Sequence, residues 1–206
     1  MILTAGCSLT EQYHNKFPVW PHLLNKEVDN IGKSGTNNRD IAFSILHYKG
    51  HYDHVLILWT HWMREVYFVE NLSEEKLLHN IKQAKYFCRQ KDIDNIIKEQ
   101  TRHTLMSIYS VQNYLNDKGI NYYMMQGVPS FWDSSNIEPA LEEINKFEHL
   151  IDTSKFYGWP TIIEVGGFNC VDNLKLRDHA ISKDDQHPNL KGNQKIAEMF
   201  MKHGNI

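Results

Sequence analysis

Hydrophobic residues are grouped along the chain in short apolar runs, separated by longer segments in which they recur every three or four residues. The continuous run HVLILWT at residues 54–60 is typical of a strand that is buried on both faces of a parallel sheet. Five segments predict strands: ILTAG at 2–6, EVDNIG at 27–32, HVLILWT at 54–60, INYYMMQG at 120–127 and, more weakly, TIIEV at 161–165.

Segments with helical spacing lie between these strands. They predict helices near 20–26, after an N-cap at Asn37 or Asn38, and over 72–87, 93–115, 138–151 and 189–203. Because strands alternate with helices, the pattern favours an α/β fold, a three-layer α/β/α sandwich with a mostly parallel five-stranded sheet. The length of 206 residues fits a single domain that spans 1–206.

Charge and composition narrow the classes of partner. The formal net charge of −3 argues against broad binding to nucleic acid, and no apolar run is long enough to cross a bilayer. The segment MILTAGCSLT lacks the basic and apolar regions of a signal peptide, and three cysteines fit reduced thiols in a cytoplasm. We therefore expect a cytoplasmic protein with no nucleic-acid or membrane partner, and we leave its oligomeric state open.

The candidate chemistry lies at the carboxyl ends of the predicted strands, where ligands bind in parallel sheets. Pro188 restricts His187 to an extended or turn conformation, directly ahead of the last helix. Asp184 can accept a hydrogen bond from one imidazole nitrogen and leave the other as a base. Ser8, just after the first strand, would complete a Ser-His-Asp triad. Asp185 is the rival carboxylate, only two residues from His187.

Four segments resemble the sequence blocks of the SGNH (GDSL-type) hydrolase family. GCSLT at 6–10 is similar to the first block, with Cys7 in place of the usual aspartate, and NIGKSGTNN at 30–38 is similar to the second. DHVLILWTHW at 53–62 is similar to the third block, and DDQHPNLKGNQKIA at 184–197 to the fifth. The blocks occur in the family's order, from residue 2 to about 200. The GCS and Trp-Thr elements also resemble small SGNH-like proteins encoded by bacterial viruses.

The resemblance implies a flavodoxin-like fold and a serine esterase or acyl hydrolase that works through an acyl-enzyme, with no cofactor and no metal. It implies that the N–H groups of Ser8 and Gly35 stabilise the oxyanion. The family's third-block asparagine is absent here, so that Thr60, His61 or Trp62 takes its place. A threonine hydroxyl or a histidine N–H can donate instead.

The substrate that the resemblance implies is a small-molecule or glycan ester, for example an O-acetyl group on a glycan. The aromatic segment HWMREVYFVEN at 61–71 either packs on the core or forms a substrate wall. We expect Trp62 and Arg64 to belong to such a wall, because aromatic faces beside charged groups suit a sugar or another polar acyl ester.

Several alternatives stay open. Cys7 is a second candidate nucleophile, but neighbouring residues at a strand end point opposite ways, so only one of Cys7 and Ser8 can face His187. The altered third block also fits a catalytically weak or inactive SGNH-like binding or virion-associated module, and an acyltransferase would share the site. His47, His51 and His54, with Asp53, match no metal motif and indicate surface histidines.

Overall fold

The computed structural model describes residues 1–12, 16–67, 90–131, 137–173, 178–182, 184–185 and 187–206. Within these ranges one sheet is formed by the strands β1 Ile2–Gly6, β2 Val28–Asn30, β3 His54–Trp59, β4 Asn121–Gln126 and β5 Phe156–Tyr157. The helix predicted at 72–87 lies outside the described residues.

The five strands are all parallel, in the order β2-β1-β3-β4-β5. This is the order of flavodoxin-like sheets, in which the winding direction changes between β1 and β3 and ligands bind at that point. The predicted parallel five-stranded sheet is confirmed. Its topology places the turn after β1 and the turn after β3 side by side at the carboxyl edge.

Helices cover both faces of the sheet. They are α1 Asn38–His47, α2 Gln90–Asp117, α3 Glu138–Phe147, α4 Cys170–Asn173 and α5 Leu190–Gly204. Short 3-10 helices span Trp20–Leu23, Trp62–Tyr67, Glu148–Leu150, Thr153–Lys155 and Ile163–Val165. Among the described residues, no helix is both long enough and apolar enough to span a membrane.

The central strand β3 shows how the layers are held together. Val55, Ile57 and Trp59 pack into a core cluster with residues of α1, α2 and α3. Leu56 and Leu58 point the other way and pack into a second cluster with residues of α5 and the first 3-10 helix. Because successive side chains of a strand alternate between faces, a wholly apolar strand requires cover on both sides. The predicted three-layer α/β/α sandwich is confirmed.

The fifth strand is not where the sequence pattern predicted it. The segment 161–165 was expected to be a strand, but Ile163–Val165 is a 3-10 helix, and Val165 N–H donates to Ile162 O. Ile163 and Val165 are 40% and 44% exposed, so their β-branched side chains do not pack between layers. The strand β5 lies just before, at Phe156–Tyr157, and pairs with Met124 and Met125 of β4. The prediction of a strand at 161–165 was therefore wrong.

A buried ion-pair network joins α2 to α3. Glu143 on α3 is 1% exposed, and its carboxylate accepts hydrogen bonds from Arg102 Nε and Nη2 at 3.1 and 3.0 Å. Lys146 Nζ donates to its other oxygen at 2.8 Å. Burial raises the pKa of Glu143, but the bonds from Lys146 and Arg102 outweigh that effect, and the net result is a lowered pKa.

Candidate active site

A serine, a histidine and an aspartate form a connected row at the carboxyl edge of the sheet. Ser8 Oγ lies 2.9 Å from His187 Nε2, and His187 Nδ1 lies 2.7 Å from Asp185 Oδ1. Because a carboxylate only accepts, Nδ1 carries the imidazole proton and Nε2 is left to accept the hydroxyl proton of Ser8. The row therefore has the order of a nucleophile, a base and an orienting carboxylate.

The carboxylate in this row is Asp185, which corrects the predicted pairing of His187 with Asp184. Asp185 Oδ1 also accepts the backbone N–H of His187 at 3.0 Å. Aspartate side chains often fold back onto the N–H two residues ahead, so a spacing of two is enough. Asp184 is exposed, and its backbone N–H donates to Ser182 Oγ at 3.2 Å.

The His187 loop is fixed by hydrogen bonds at both ends. Ser182 Oγ accepts the N–H of Asp185 at 2.9 Å, and Ile181 N–H donates to His187 O at 2.9 Å. Asn189 then caps α5 by accepting the N–H of Gly192 at 3.1 Å. These bonds fix the backbone on both sides of His187 and thereby restrict the position of its imidazole ring.

The Ser8 turn is tied to the His187 loop through Asn193 of α5. Asn193 is 1% exposed; its Oδ1 accepts Trp20 N–H at 2.9 Å and its Nδ2 donates to Pro188 O at 3.0 Å. Trp20 Nε1 in turn donates to Thr10 Oγ1 at 3.4 Å. A buried amide thus links the segments that carry Ser8 and His187.

The turn after β1 leaves Ser8 half-buried and buries Cys7. Cys7 is 1% exposed and packs in the second core cluster, and its carbonyl accepts the N–H groups of Thr10 and Glu11. A β-carbon on Gly6 would lie 2.1 Å from Thr10 Oγ1, so the tight turn requires glycine there. The side chain next to His187 is therefore the hydroxyl of Ser8 and not the thiol of Cys7.

The turn after β2, which carries Gly35, lies against the Ser8 turn. Lys33 N–H donates to Gly6 O at 3.0 Å, and Ser34 N–H donates to Glu11 Oε2 at 2.8 Å. Gly35 has φ +78°, a left-handed conformation that favours glycine, and it is exposed.

The backbone of Thr60, directly after β3, makes hydrogen bonds that the sequence did not indicate. Thr60 N–H donates to Asn38 Oδ1 at 2.9 Å, and Thr60 O accepts from Asn38 Nδ2 and Gln126 Nε2. The backbone of Thr60 is thus already engaged, so only its hydroxyl is left as an oxyanion donor. His61 is 2% exposed, and its Nδ1 accepts Met63 N–H at 3.0 Å, which leaves the ring proton on Nε2.

His61 is held in its neutral form. Burial is the main cause, and the nearby charge of Arg64 adds to it; together they hold the pKa of His61 well below its ordinary value of 6.5. A neutral imidazole with its proton on Nε2 is a hydrogen-bond donor at that atom. The predicted oxyanion roles of the Thr60 hydroxyl and His61 stay predictions.

The predicted substrate wall is not what the structure shows. Trp62 is 1% exposed, packs in the first core cluster and donates from Nε1 to Gln126 Oε1 at 3.1 Å, so it is a core residue. Arg64 is half-buried, and its Nη1 donates at 3.0 Å to both Thr36 O and Thr60 Oγ1. Arg64 therefore fastens the Gly35 turn to the end of β3. Both side chains point into the protein because they find hydrogen-bond acceptors there.

Sequence reasoning ranked one contributor to this site second and missed the contacts of two others. It named Asp185 only as the rival to Asp184, although a turn in which a side chain bonds the backbone two residues ahead is a known signal. The amides of Asn38 and Asn193 contact residues far away in the sequence, at Thr60 and Trp20. No local pattern predicts such contacts.

Comparison with solved structures places the fold. A protein described as lipolytic and of the G-D-S-L family, from Desulfitobacterium hafniense DCB-2, superposes with a TM-score of 0.53 at 13% identity, over 98% of each chain. A lipase from a goat rumen metagenome gives 0.53 at 16% identity, over 98% of this chain and 96% of that one. An acetylxylan esterase from Geobacillus stearothermophilus gives 0.51 at 14% identity, over 100% and 94%.

No family model and no curated protein matches the chain. The fold and the row of side chains define a doubly wound α/β protein with a serine–histidine–aspartate arrangement at the switch point of its sheet. Within that class, the chain has the SGNH hydrolase fold, which it shares with these lipolytic and acetylxylan-esterase structures over nearly its whole length.

Proposed function

We propose that this protein is a serine hydrolase that cleaves ester bonds through an acyl-enzyme. The observation that carries the proposal is the row from Ser8 Oγ to His187 Nε2 and from His187 Nδ1 to Asp185, with separations of 2.9 and 2.7 Å. Both distances lie within the reach that proton transfer requires. The row stands at the carboxyl edge, where doubly wound folds bind ligands.

In the first half-reaction, His187 Nε2 takes the hydroxyl proton of Ser8 as Ser8 Oγ attacks the carbonyl carbon of the ester. The carbonyl electron pair moves onto oxygen, and Asp185 stabilises the imidazolium that forms. When this tetrahedral intermediate collapses, the bond to the alcohol oxygen breaks, and His187 gives its proton to the departing alcohol. The acyl group is left as an ester on Ser8.

In the second half-reaction, water replaces the alcohol. His187 Nε2 takes a proton from water, and the oxygen attacks the acyl carbon. Collapse of the second intermediate breaks the bond to Ser8 Oγ, which regains a proton from His187. The products are a carboxylic acid and the free enzyme. An alcohol acceptor in place of water would make the same site an acyltransferase.

The oxyanion of both intermediates needs donors near Ser8. We assign this role to the N–H groups of Ser8 and Gly35, together with the Thr60 hydroxyl or His61. Within the described part of the chain, neither the N–H of Ser8 nor that of Gly35 donates a hydrogen bond, so both are available. Loss of one donor of this kind costs about 100- to 1000-fold in turnover, so these donors bear strongly on the rate.

The class of substrate that we propose is a small-molecule or glycan ester. The names of the structural neighbours support this class, since they describe lipases, lipolytic proteins and acetylxylan esterases. The bacterial-virus character suggested by the GCS element stays a prediction.

The test is covalent labelling with a fluorophosphonate probe, followed by intact mass spectrometry, alongside hydrolysis of p-nitrophenyl acetate. We expect one probe adduct on Ser8 in the wild type and none in Ser8→Ala or His187→Ala, which would also lose turnover. Cys7→Ala is the matched control, because it changes the adjacent buried side chain, and it is expected to keep both label and activity. Absence of any label and any turnover would instead support a binding module.

A further inference from the structure

A cavity of about 390 Å³ lies beyond the ends of β4 and β5. Its walls are segment 129–131 after β4, segment 161–164 after β5, and Asn169 and Asp172 at the start of α4, with Ile137 completing them. The volume is within the range of pockets that hold small molecules. Neither Ser8 nor His187 lines it.

The cavity is joined to the candidate active site through the end of β3. Trp62, which directly follows His61, donates its backbone N–H to Ser130 O at 3.0 Å, and its ring meets that of Phe131 edge-on at 5.7 Å. Strand β3 stands between β1, which carries Ser8, and β4. With strands spaced about 4.8 Å apart, the cavity lies on the order of 10 to 15 Å from Ser8 along the same edge.

The polar lining of the cavity suits a neutral polyhydroxylated ligand. Glu164 and Asp172 are exposed carboxylates that can accept hydrogen bonds from hydroxyls. The buried amide of Asn169 holds Asp172 in place, since its Nδ2 donates to Asp172 Oδ2 at 3.0 Å and its Oδ1 accepts the N–H of Asp172 at 2.9 Å. Among the described residues that line it, the charged groups are the carboxylates of Glu164 and Asp172, which would repel a phosphate or a carboxylate group.

The apolar lining complements these groups. The ring of Phe131 offers a flat apolar surface, and the exposed side chain of Ile163 adds aliphatic surface to the lining. A sugar ring also combines polar and apolar surface, with hydroxyls at its edge and C–H groups on its faces. A long acyl chain would need a lining without carboxylates, because its burial would desolvate them.

One wall of the cavity is held in an unusual conformation. Thr161 is fully buried, with φ +72°, in a region that β-branched residues rarely adopt. Its hydroxyl lies 2.8 Å from Ser130 Oγ, and its N–H donates to Gly158 O at 2.8 Å. Backbone strain of this kind persists only where the surroundings enforce it, and it concentrates at ligand sites.

We propose that this cavity binds a sugar unit of the substrate, so that the ester cleaved at Ser8 is an O-acyl group carried on a glycan. The inference rests on the hydrolase function proposed above. In this arrangement the acylated sugar lies at Ser8, and a unit further along the same glycan, not the adjacent one, occupies the cavity. The predicted substrate contacts thereby move from Trp62 and Arg64 to Phe131 and Glu164.

The first measurement is the ratio of kcat/KM for partly acetylated xylo- and chito-oligosaccharides to kcat/KM for p-nitrophenyl acetate. Glu164→Gln and Phe131→Ala are the cavity variants, and Glu198→Gln and Phe43→Ala change exposed residues of the same kinds elsewhere. We expect the ratio to fall about 10-fold or more in each cavity variant, and to stay at the wild-type value in the controls. Equal ratios in cavity and control variants would overturn the proposal, as would failure to cleave any oligosaccharide while the small ester is turned over.

The second measurement separates the cavity from the catalysis. Saturation-transfer NMR with the unacetylated oligosaccharides detects sugar binding to the wild type and its loss in Glu164→Gln, without any turnover. Binding without ester hydrolysis would support the cavity and reject the hydrolase. Hydrolysis with no binding and no change of ratio would reject the cavity and support the hydrolase.

Discussion

A single oxygen of Asp185 accepts two hydrogen bonds from His187, one from the ring Nδ1 at 2.7 Å and one from the backbone N–H at 3.0 Å. The carboxylate therefore fixes both the position of the residue and the orientation of its ring. This double contact explains how a carboxylate only two positions away can serve a histidine whose other nitrogen faces Ser8.

The first prediction separates Asp185 from Asp184. Asp185→Ala removes the oxygen that accepts both hydrogen bonds from His187 and the charge that stabilises the imidazolium, so we expect kcat for p-nitrophenyl acetate to fall by about 10⁴-fold. Asp185→Asn can keep an acceptor oxygen but no charge, and we expect a loss of similar size because the imidazolium is no longer stabilised. Asp184→Asn is the matched control and should stay close to wild type, because Asp184 contacts the loop through its backbone N–H. A larger loss in Asp184→Asn than in Asp185→Asn would restore the original pairing.

The second prediction concerns Arg64, whose Nη1 joins Thr36 O to Thr60 Oγ1. Arg64→Gln frees the Gly35 turn from the end of β3, so the proposed oxyanion donor at Gly35 loses its alignment. We expect kcat to fall by about 10- to 100-fold with little change in KM, since the donor acts mainly in the transition state. Steady-state kinetics on p-nitrophenyl acetate measure both constants.

Two further variants sharpen the Arg64 test. Arg64→Lys keeps the charge but not the planar fork, and we expect it to recover only part of the activity. Arg102→Gln removes an arginine from the α2–α3 contact and should leave kcat near the wild-type value. A rise in KM at constant kcat in Arg64→Gln would show that Arg64 binds substrate, as the sequence first suggested.

The third prediction addresses Asn193, the buried amide between Trp20 and Pro188. Asn193→Ala leaves the N–H of Trp20 and the carbonyl of Pro188 without these bonds in a dry environment. We expect the free energy of unfolding to fall by about 2 to 6 kcal/mol, at about 1 to 3 kcal/mol for each of the two buried groups. Urea unfolding followed by tryptophan fluorescence measures this change. Lys195→Ala, on the exposed side of the same helix, should change stability by about 0.5 kcal/mol at most.

The fourth prediction is a pH dependence of stability that arises from Glu143. Its folded pKa is lowered, so its contribution is complete above the unfolded value near 4.5 and is lost as the pH falls through the folded value. Glu143→Gln should therefore be less stable than wild type at pH 7, by about 1 to 2 kcal/mol given the exposed partners. The difference should shrink as the pH falls below 4.5.

Glu142 provides the control for that prediction. It is the neighbouring glutamate, 57% exposed, and it pairs with Lys98 across the same helices. Exposed pairs contribute about 0 to 1 kcal/mol, so Glu142→Gln should have little effect at any pH. The measurement is the urea midpoint of wild type and both variants at pH 7 and pH 3.5. A stability difference between wild type and Glu143→Gln that widens in acid would contradict a lowered pKa of Glu143.

The sheet and most of its helices could be predicted from the sequence because their signals are local. A run such as 54–60 can be satisfied only between two layers, and Asn37 marks the start of α1 by its capping chemistry. The segment 161–165 has equally β-branched composition, yet it folds as a turn at the rim of a cavity. There the tertiary surroundings outweigh local propensity.

The candidate site likewise contains residues that the sequence indicated and residues whose roles depend on distant contacts. Ser8 and His187 could be recognised because a strand end and a proline constrain the backbone beside them. The choice between Asp184 and Asp185 depends on how one short loop closes. The inward course of Trp62 and Arg64 depends on acceptors supplied by Gln126, Thr36 and Thr60. Partners this distant in sequence become visible only in the folded chain.

Ser8 and His187 stand 179 positions apart, so their contact joins the turn after the first strand to the loop before the last helix. During synthesis, Ser8 is therefore made long before His187. A chain that ends before residue 187 would carry Ser8 without this hydrogen-bond partner. The hydrolase activity that we propose therefore requires the early and the late part of the sequence in the same folded molecule.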